Sequence, residues 1–157
     1  MTEPHADYVD RETGKVFADA RGLVDAYIAR FSGKVSAATA GAVAFDPLDA
    51  DGYTSVSRGS ATIGINVPAD QGVLLFLARM MKIPEARREE LFRLLLELNY
   101  SATSDAAFAI EQETDTVCLR AMRSIAGLDY EEFEEMLHTI AAVADEWDDA
   151  LLERFSS

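Results

Sequence analysis

The sequence predicts an α+β fold in the order helix, three-strand meander, helix, two-strand hairpin, helix, with an antiparallel sheet covered by helices on one face. Three observations carry this. The run Val73-Leu74-Leu75-Phe76-Leu77-Ala78, continued by Arg79-Met80-Met81-Lys82-Ile83 and stopped by Pro84, reads as a strand buried on both faces. Period-two alternation of apolar and polar residues appears before it (Ala61, Ile63, Ile65, Val67) and after it (Phe108, Ile110; Val117, Leu119, Ala121). Three other stretches carry apolar residues three and four apart, the spacing of a helix with one packed face.

The chain has 157 residues, the size of one ordinary domain, and 49% of them are hydrophobic. Residues 1–9 read as a disordered lead-in and residues 10–157 as a single domain. From about Asp10, the residues Val16, Phe17, Ala20, Leu23, Val24, Tyr27, Ile28 and Phe31 predict the first helix, with Gly33 as its end. Lys34 to Gly52 is rich in Ala, Gly and Asp, and reads as a loop with one short strand near Val43 to Phe45. Within it, Asp49, Asp51 and Gly52 brush a calcium-loop pattern. The alignment fails because position 1 would be Pro47 and position 12 Arg58, neither of which can ligate the ion.

Tyr53 to Arg58 and Ala61 to Val67 form a hairpin linked at Gly59. Pro68-Ala69-Asp70-Gln71-Gly72 then turns the chain into the central strand, and short links between three strands imply an antiparallel meander. Pro84, followed by Glu85, Glu89 and Glu90, marks a helix start; Leu91, Leu94, Leu95 and Leu98 form its packed face, with Phe92 and Leu96 beside it. Gln112 to Asp115 turns the second hairpin. Asp129 with Glu132 three residues on is a capping-box signature for a last helix reaching about Phe155. That helix is roughly 40 Å long at 1.5 Å per residue, enough for its end to cap another chain or project.

The formal charge is −14 and the pI about 4.4. Such a surface repels phosphate backbones and anionic membranes, so neither nucleic acid nor a membrane is an expected partner. The N-terminus lacks the basic and apolar segments of a signal peptide, and the longest apolar run is far short of the about 20 residues of a membrane helix. With one cysteine, Cys118, no internal disulfide can form. These features predict a cytoplasmic protein.

Catalytic chemistry finds no constellation. His5 and His138 are the two histidines, and no paired histidine or cysteine motif supports a metal site. Cys118 stands in a strand with no histidine near it in sequence, and no phosphate-binding glycine loop is present. Asp145, Glu146, Asp148 and Asp149 read as a solvated acidic helix face, because acid–base work would need a pocket and separated pKa values. No catalytic residue, metal or cofactor is expected.

Two surface features remain. Arg79, Lys82, Arg87, Arg88 and Arg93 concentrate positive charge in an acidic chain. They either pair with the acidic terminal helix, within one chain or between subunits, or, at Arg79, Lys82, Arg87 and Arg88, form a docking patch for an acidic peptide. In the central strand, Leu74, Phe76, Ala78 and Met80 fall on one face and Val73, Leu75, Leu77 and Met81 on the other. One helix layer covers one set only, so the second set is expected to form a partner or dimer surface.

The order of elements, with Arg58-Gly59-Ser60-Ala61, Ile83-Pro84, Leu95, Glu97-Leu98-Asn99, Phe108, Leu119, Ala144-Asp145-Glu146-Trp147-Asp148-Asp149, Leu151 and Phe155, resembles the YbjN-like family and the wider type III secretion chaperone-like superfamily. The likeness spans roughly Tyr53 to Phe155 and rests on short, mostly structural motifs. It implies a twisted antiparallel sheet, a homodimer and no catalytic residues. The function expected is a non-enzymatic protein-binding module, chaperone-like or regulatory. The alternative is a stress-linked regulatory domain that senses a small-molecule ligand, which would require an internal pocket.

Overall fold

The computed structural model describes residues 8–39 and 45–156. The eight elements are α1 (Ala20–Thr39), β1 (Tyr53–Arg58), β2 (Ala61–Asn66), β3 (Val73–Lys82), α2 (Arg88–Ser101), β4 (Ala107–Glu111), β5 (Thr116–Ser124) and α3 (Tyr130–Phe155). The strands form one antiparallel sheet in the order β1-β2-β3-β5-β4. The predicted element order and α+β class therefore hold.

Alternation along each strand sorts side chains to two faces. Thr54, Val56, Ile63, Ile65, Leu74, Phe76, Ala78, Leu119, Ala121 and Phe108 share the inner face through cross-strand pairs such as Ile65–Phe76 and Phe76–Ala121. α3 lies across β2, β3 and β5 on this face, with Phe133 against Phe76 at 5.7 Å between ring centroids. α1 packs on α3 through Tyr27, whose ring meets Tyr130 and Phe133, and whose hydroxyl donates to the Leu128 carbonyl at 2.9 Å. Burial pushes that phenol up to about 12. The capping box that starts α3 is formed as expected: the Asp129 carboxylate accepts from the Glu132 N–H, and the Glu132 carboxylate from the Asp129 N–H.

Four local expectations are corrected. First, α1 begins at Ala20 rather than near Asp10. Residues 8–17 instead form a hook: Val9 bridges Val16, and the buried Asp10 carboxylate accepts from the Glu12 and Thr13 N–H groups and pairs with Arg30. Burial opposes the Asp10 charge, but these donors outweigh it and hold the carboxyl below its ordinary value. Residues 1–7 of the expected lead-in, His5 among them, lie outside the described residues.

Second, α1 passes through Gly33 and ends at Thr39. Gly33 stands on an open side where an added Cβ would meet nothing within 4 Å. Glycine is merely tolerated there, at up to about 1 kcal/mol relative to alanine. Val43 and Ala44 of the expected short strand lie outside the described residues, and Phe45 belongs to no strand; it stacks on Phe31 at 5.5 Å.

Third, α2 starts at Arg88 rather than after Pro84, and Arg87 before it is left-handed, at φ 62°. Its guanidinium holds it there by donating to Glu90 and to the Arg154 carbonyl, and by lying over the Phe155 ring.

Fourth, the pairing of β3 with β5 shifts between Arg79 and Met81, a β-bulge. Met81 pairs with Val117 on the inner face and is only 6% exposed, so it leaves the set formed by Val73, Leu75 and Leu77. The same packing settles the end of α3: Leu151 and Phe155 are buried, Phe155 shares a groove with Met81 and Ile83, and the last turn packs on the chain rather than projecting.

Candidate functional site

Among the described residues, no helix covers the outer face of the sheet. By register it carries Tyr53, Ser55, Ser57, Thr62, Gly64, Asn66, Val73, Leu75, Leu77, Arg79, Lys82, Thr116, Cys118, Arg120, Met122, Ser124, Ala107, Ala109 and Glu111. Val73, Leu75 and Leu77 lie at its centre and are half-buried, and neighbouring Met122 is 60% exposed. Tyr53 lies over Gly64, where an added Cβ would approach the ring to 3.0 Å; the glycine lets the tyrosine lie flat on the sheet. Arg79 on β3 pairs with Glu111 on β4 at 3.0 Å, spanning β5 at the position of Cys118. Cys118 is 3% exposed, and burial followed by the nearby Glu111 charge pushes its thiol up, the opposite of a reactive cysteine.

A second apolar surface lies on α2. Leu91, Leu95 and Leu98 are buried, as expected. Phe92, Leu96 and Tyr100 form a separate stripe four residues apart, with Leu96 69% and Tyr100 95% exposed. Ile110 of the edge strand β4 borders it at 48% exposure. In the sequence, Phe92 and Leu96 stand beside the packed face of this helix. Their spacing to Tyr100 was the available signal, but periodicity cannot show which of two stripes finds cover.

Asn99 fixes α2 to that edge. Its side-chain amide donates to the Phe108 carbonyl at 3.2 Å, and its oxygen accepts from the Phe108 N–H at 2.7 Å, as a neighbouring strand would. Replacing Asn99 with alanine leaves both backbone groups without this partner. The expected loss is about 1–2 kcal/mol, read as a lower Tm and faster hydrogen exchange at Phe108.

The basic residues do not form one patch. Arg87 is bound to Glu90 and the Arg154 carbonyl, and Arg154 also pairs with Glu90. Hydrogen bonds first from Arg87 and then from Arg154 hold the Glu90 carboxyl below its ordinary value. Arg88 reaches Asp115 at 3.9 Å, and Arg93 pairs with Glu97 one turn along. Arg79 and Lys82 instead belong to the outer sheet face.

The acidic stretch of α3 has a structural task. Asp145 accepts from the backbone N–H and hydroxyl of Ser60, tying the β1–β2 turn to the helix, and these bonds hold its carboxyl below its usual value. Among the described residues no group of three or more His, Cys, Asp or Glu could hold a metal ion, and no helix is long and apolar enough to cross a membrane. His138 lies beside Phe31, with Glu134 one turn back at 3.6 Å.

Residues 38–148 match the Tir chaperone protein (CesT) family. The chain belongs to that family. No match is found among curated proteins. Solved structures share the fold of this CesT-family chain. The ExsC–ExsE complex is 23% identical, with a TM-score of 0.63 over 83% of this chain and 95% of that one. The ExoU–SpcU heterodimer from the type III secretion system of Pseudomonas aeruginosa is 12% identical, with a TM-score of 0.58 over 78% and 93%. The Yersinia pestis type III secretion chaperone SycH, in complex with a fragment of YscM2, is 12% identical, with a TM-score of 0.53 over 76% and 95%. The CesT family falls within the secretion chaperone-like superfamily expected from the sequence; the narrower YbjN-like resemblance rests on the short motifs alone.

Proposed function

We propose that this CesT-family chain is a non-enzymatic, cytoplasmic chaperone that holds an extended segment of a client protein and acts as a homodimer. The observation that carries the proposal is the pair of uncovered apolar surfaces, the outer sheet face and the α2 stripe, in a chain whose described residues assemble no catalytic group. The α2 stripe is self-complementary. A two-fold axis at Leu96 sets Phe92 of one helix against Tyr100 of an antiparallel copy, as an isologous interface requires. That leaves the outer sheet face for the client. The neighbours reported above are complexes of two proteins, and one of them, SycH, is a type III secretion chaperone solved with a fragment of YscM2, which supports the same reading. The ligand-sensing alternative calls for an enclosed pocket, whereas the grooves along α2, β4 and the α3 end are open to solvent.

Light scattering at micromolar concentration is expected to give twice the 17.2 kDa protomer mass. Leu96→Glu should give the protomer mass with an unchanged circular dichroism spectrum, because Leu96 touches little within its own chain. A wild-type protein at the protomer mass removes the homodimer from the proposal. Affinity capture from the native cells, read by mass spectrometry, is expected to return a client near one-to-one stoichiometry with the dimer or the protomer. Nothing above a tag-only control would defeat the chaperone reading.

A further inference from the structure

We infer that the client segment seated on the outer sheet face is apolar and acidic, the reverse of what the chain's overall charge suggests. The inference rests on the chaperone reading above and specifies the chemistry of what is bound. The whole chain carries 28 carboxylate side chains against 14 Lys and Arg. The outer face inverts that ratio: by strand register it holds Arg79, Lys82 and Arg120 and a single carboxylate, Glu111. Arg79 is neutralised by Glu111. Lys82 and Arg120 have no ion pair among the described residues, and the contact made by the Arg120 guanidinium is with the Met122 sulfur at 3.8 Å. Arg120 stands beside the last member of the apolar line of Val73, Leu75 and Leu77, through its pairing with Leu77, and Lys82 lies farther along the same strand at its end. The other cations of this sheet, Arg58 and Arg123, point to the helix side and are used there, over Phe31 and against Glu132.

At physiological ionic strength, charges are screened beyond about 8 Å. A segment lying on the face therefore senses Lys82 and Arg120 before the acidic helices behind the sheet. An extended strand presents alternate side chains to one face, so it can set apolar residues on Leu75 and Leu77 and carboxylates toward Arg120 beside them and Lys82 beyond them. A second copy fits worse, because stacking two outer faces brings four unpaired cations together. An anionic bilayer fits worse as well, because a flat, extended surface would also meet the acidic remainder of the chain.

The test uses two fluorescent peptides of alternating leucine and serine, one carrying aspartates and the other lysines at the same positions, with the protein of 157 residues in moderate salt. The aspartate peptide is expected to bind and the lysine peptide not to. Arg120→Glu and, independently, Lys82→Glu should each weaken the aspartate peptide by about tenfold. Leu96→Glu should leave that binding in place, because it acts on the other surface. Preference for the lysine peptide, binding of neither peptide, or binding of phosphatidylglycerol vesicles that the two reversals abolish would each overturn the inference. Client capture from cells is a separate readout. A captured client together with a failed aspartate peptide rejects the acidic-segment inference alone, whereas failed capture rejects the chaperone reading beneath it.

Discussion

Replacing Phe133 with alanine is expected to lower the stability of the fold by about 3–5 kcal/mol, the range for removing a buried aromatic side chain. Phe133 has no exposed surface and stands where three elements meet. Its ring lies 5.7 Å from Phe76 of β3, 5.8 Å from Tyr27 of α1 and 6.3 Å from Tyr130. Collapse cannot refill the space cheaply, because Tyr27 is anchored through its hydroxyl to the Leu128 carbonyl and Phe76 is held by pairing on both sides of β3. Chemical denaturation should report the loss as a lower midpoint with an unchanged slope. Phe133→Leu should recover most of it. A Phe133→Ala midpoint close to wild type would mean that α3 does not pack on the sheet as described. Because β3 also presents Val73, Leu75 and Leu77 on its other side, the alanine variant should loosen the proposed client face without touching it.

Gly52→Val is expected to be comparably damaging, by at least about 3 kcal/mol, since strain in a left-handed backbone and a steric clash add. Gly52 has φ 80°, and a Cβ there would collide with the Val67 carbonyl oxygen and lie 2.6 Å from the Arg21 Nε. Neither obstacle can move freely. Val67 donates its N–H to the Gly52 carbonyl at 2.8 Å, and Arg21 donates to three carbonyls, those of Val67, Ala50 and Asp51. This clamp ties α1 to both ends of the first hairpin. Gly52→Ala should fall between wild type and valine, whereas Arg21→Lys should lose the three-carbonyl clamp and keep the backbone unstrained. Thermal melts of the three variants in that order check the argument, and a Gly52→Val protein that melts with wild type would refute it.

The elements were legible where one local rule operated without competition. The β3 run ended before Pro84, the alternation at Ala61, Ile63 and Ile65 marked a half-buried strand, and Asp129 with Glu132 announced the start of α3. They were misread where a local signal was outvoted by distant contacts. Gly33 has the composition of a helix stop but sits inside α1. Pro84 has the composition of a helix start, yet α2 begins after Arg87, whose left-handed backbone is secured by Arg154 and Phe155 from the far end of the chain. The surface was less legible still. The five basic residues that cluster in sequence separate in space, two to the outer face and three to ion pairs around α2. Arg120, nearly thirty residues beyond that cluster in sequence, joins the outer face through its pairing with Leu77.

By itself the sequence determined the order of the elements, the inner-face residues of β2, β4, β5 and of β3 as far as Ala78, and the likeness to secretion chaperones. These follow from periodicity and short motifs, which are properties of neighbouring residues. Only the tertiary structure decided that Met81 turns inward at a bulge, that α2 carries a second, exposed stripe, and that Lys82 and Arg120 share the outer face with Leu75 and Leu77 and have no ion pair among the described residues. Those are questions of which face is covered and which charge is answered. The answer lies in residues far along the chain, brought near only when the sheet closes on its helices.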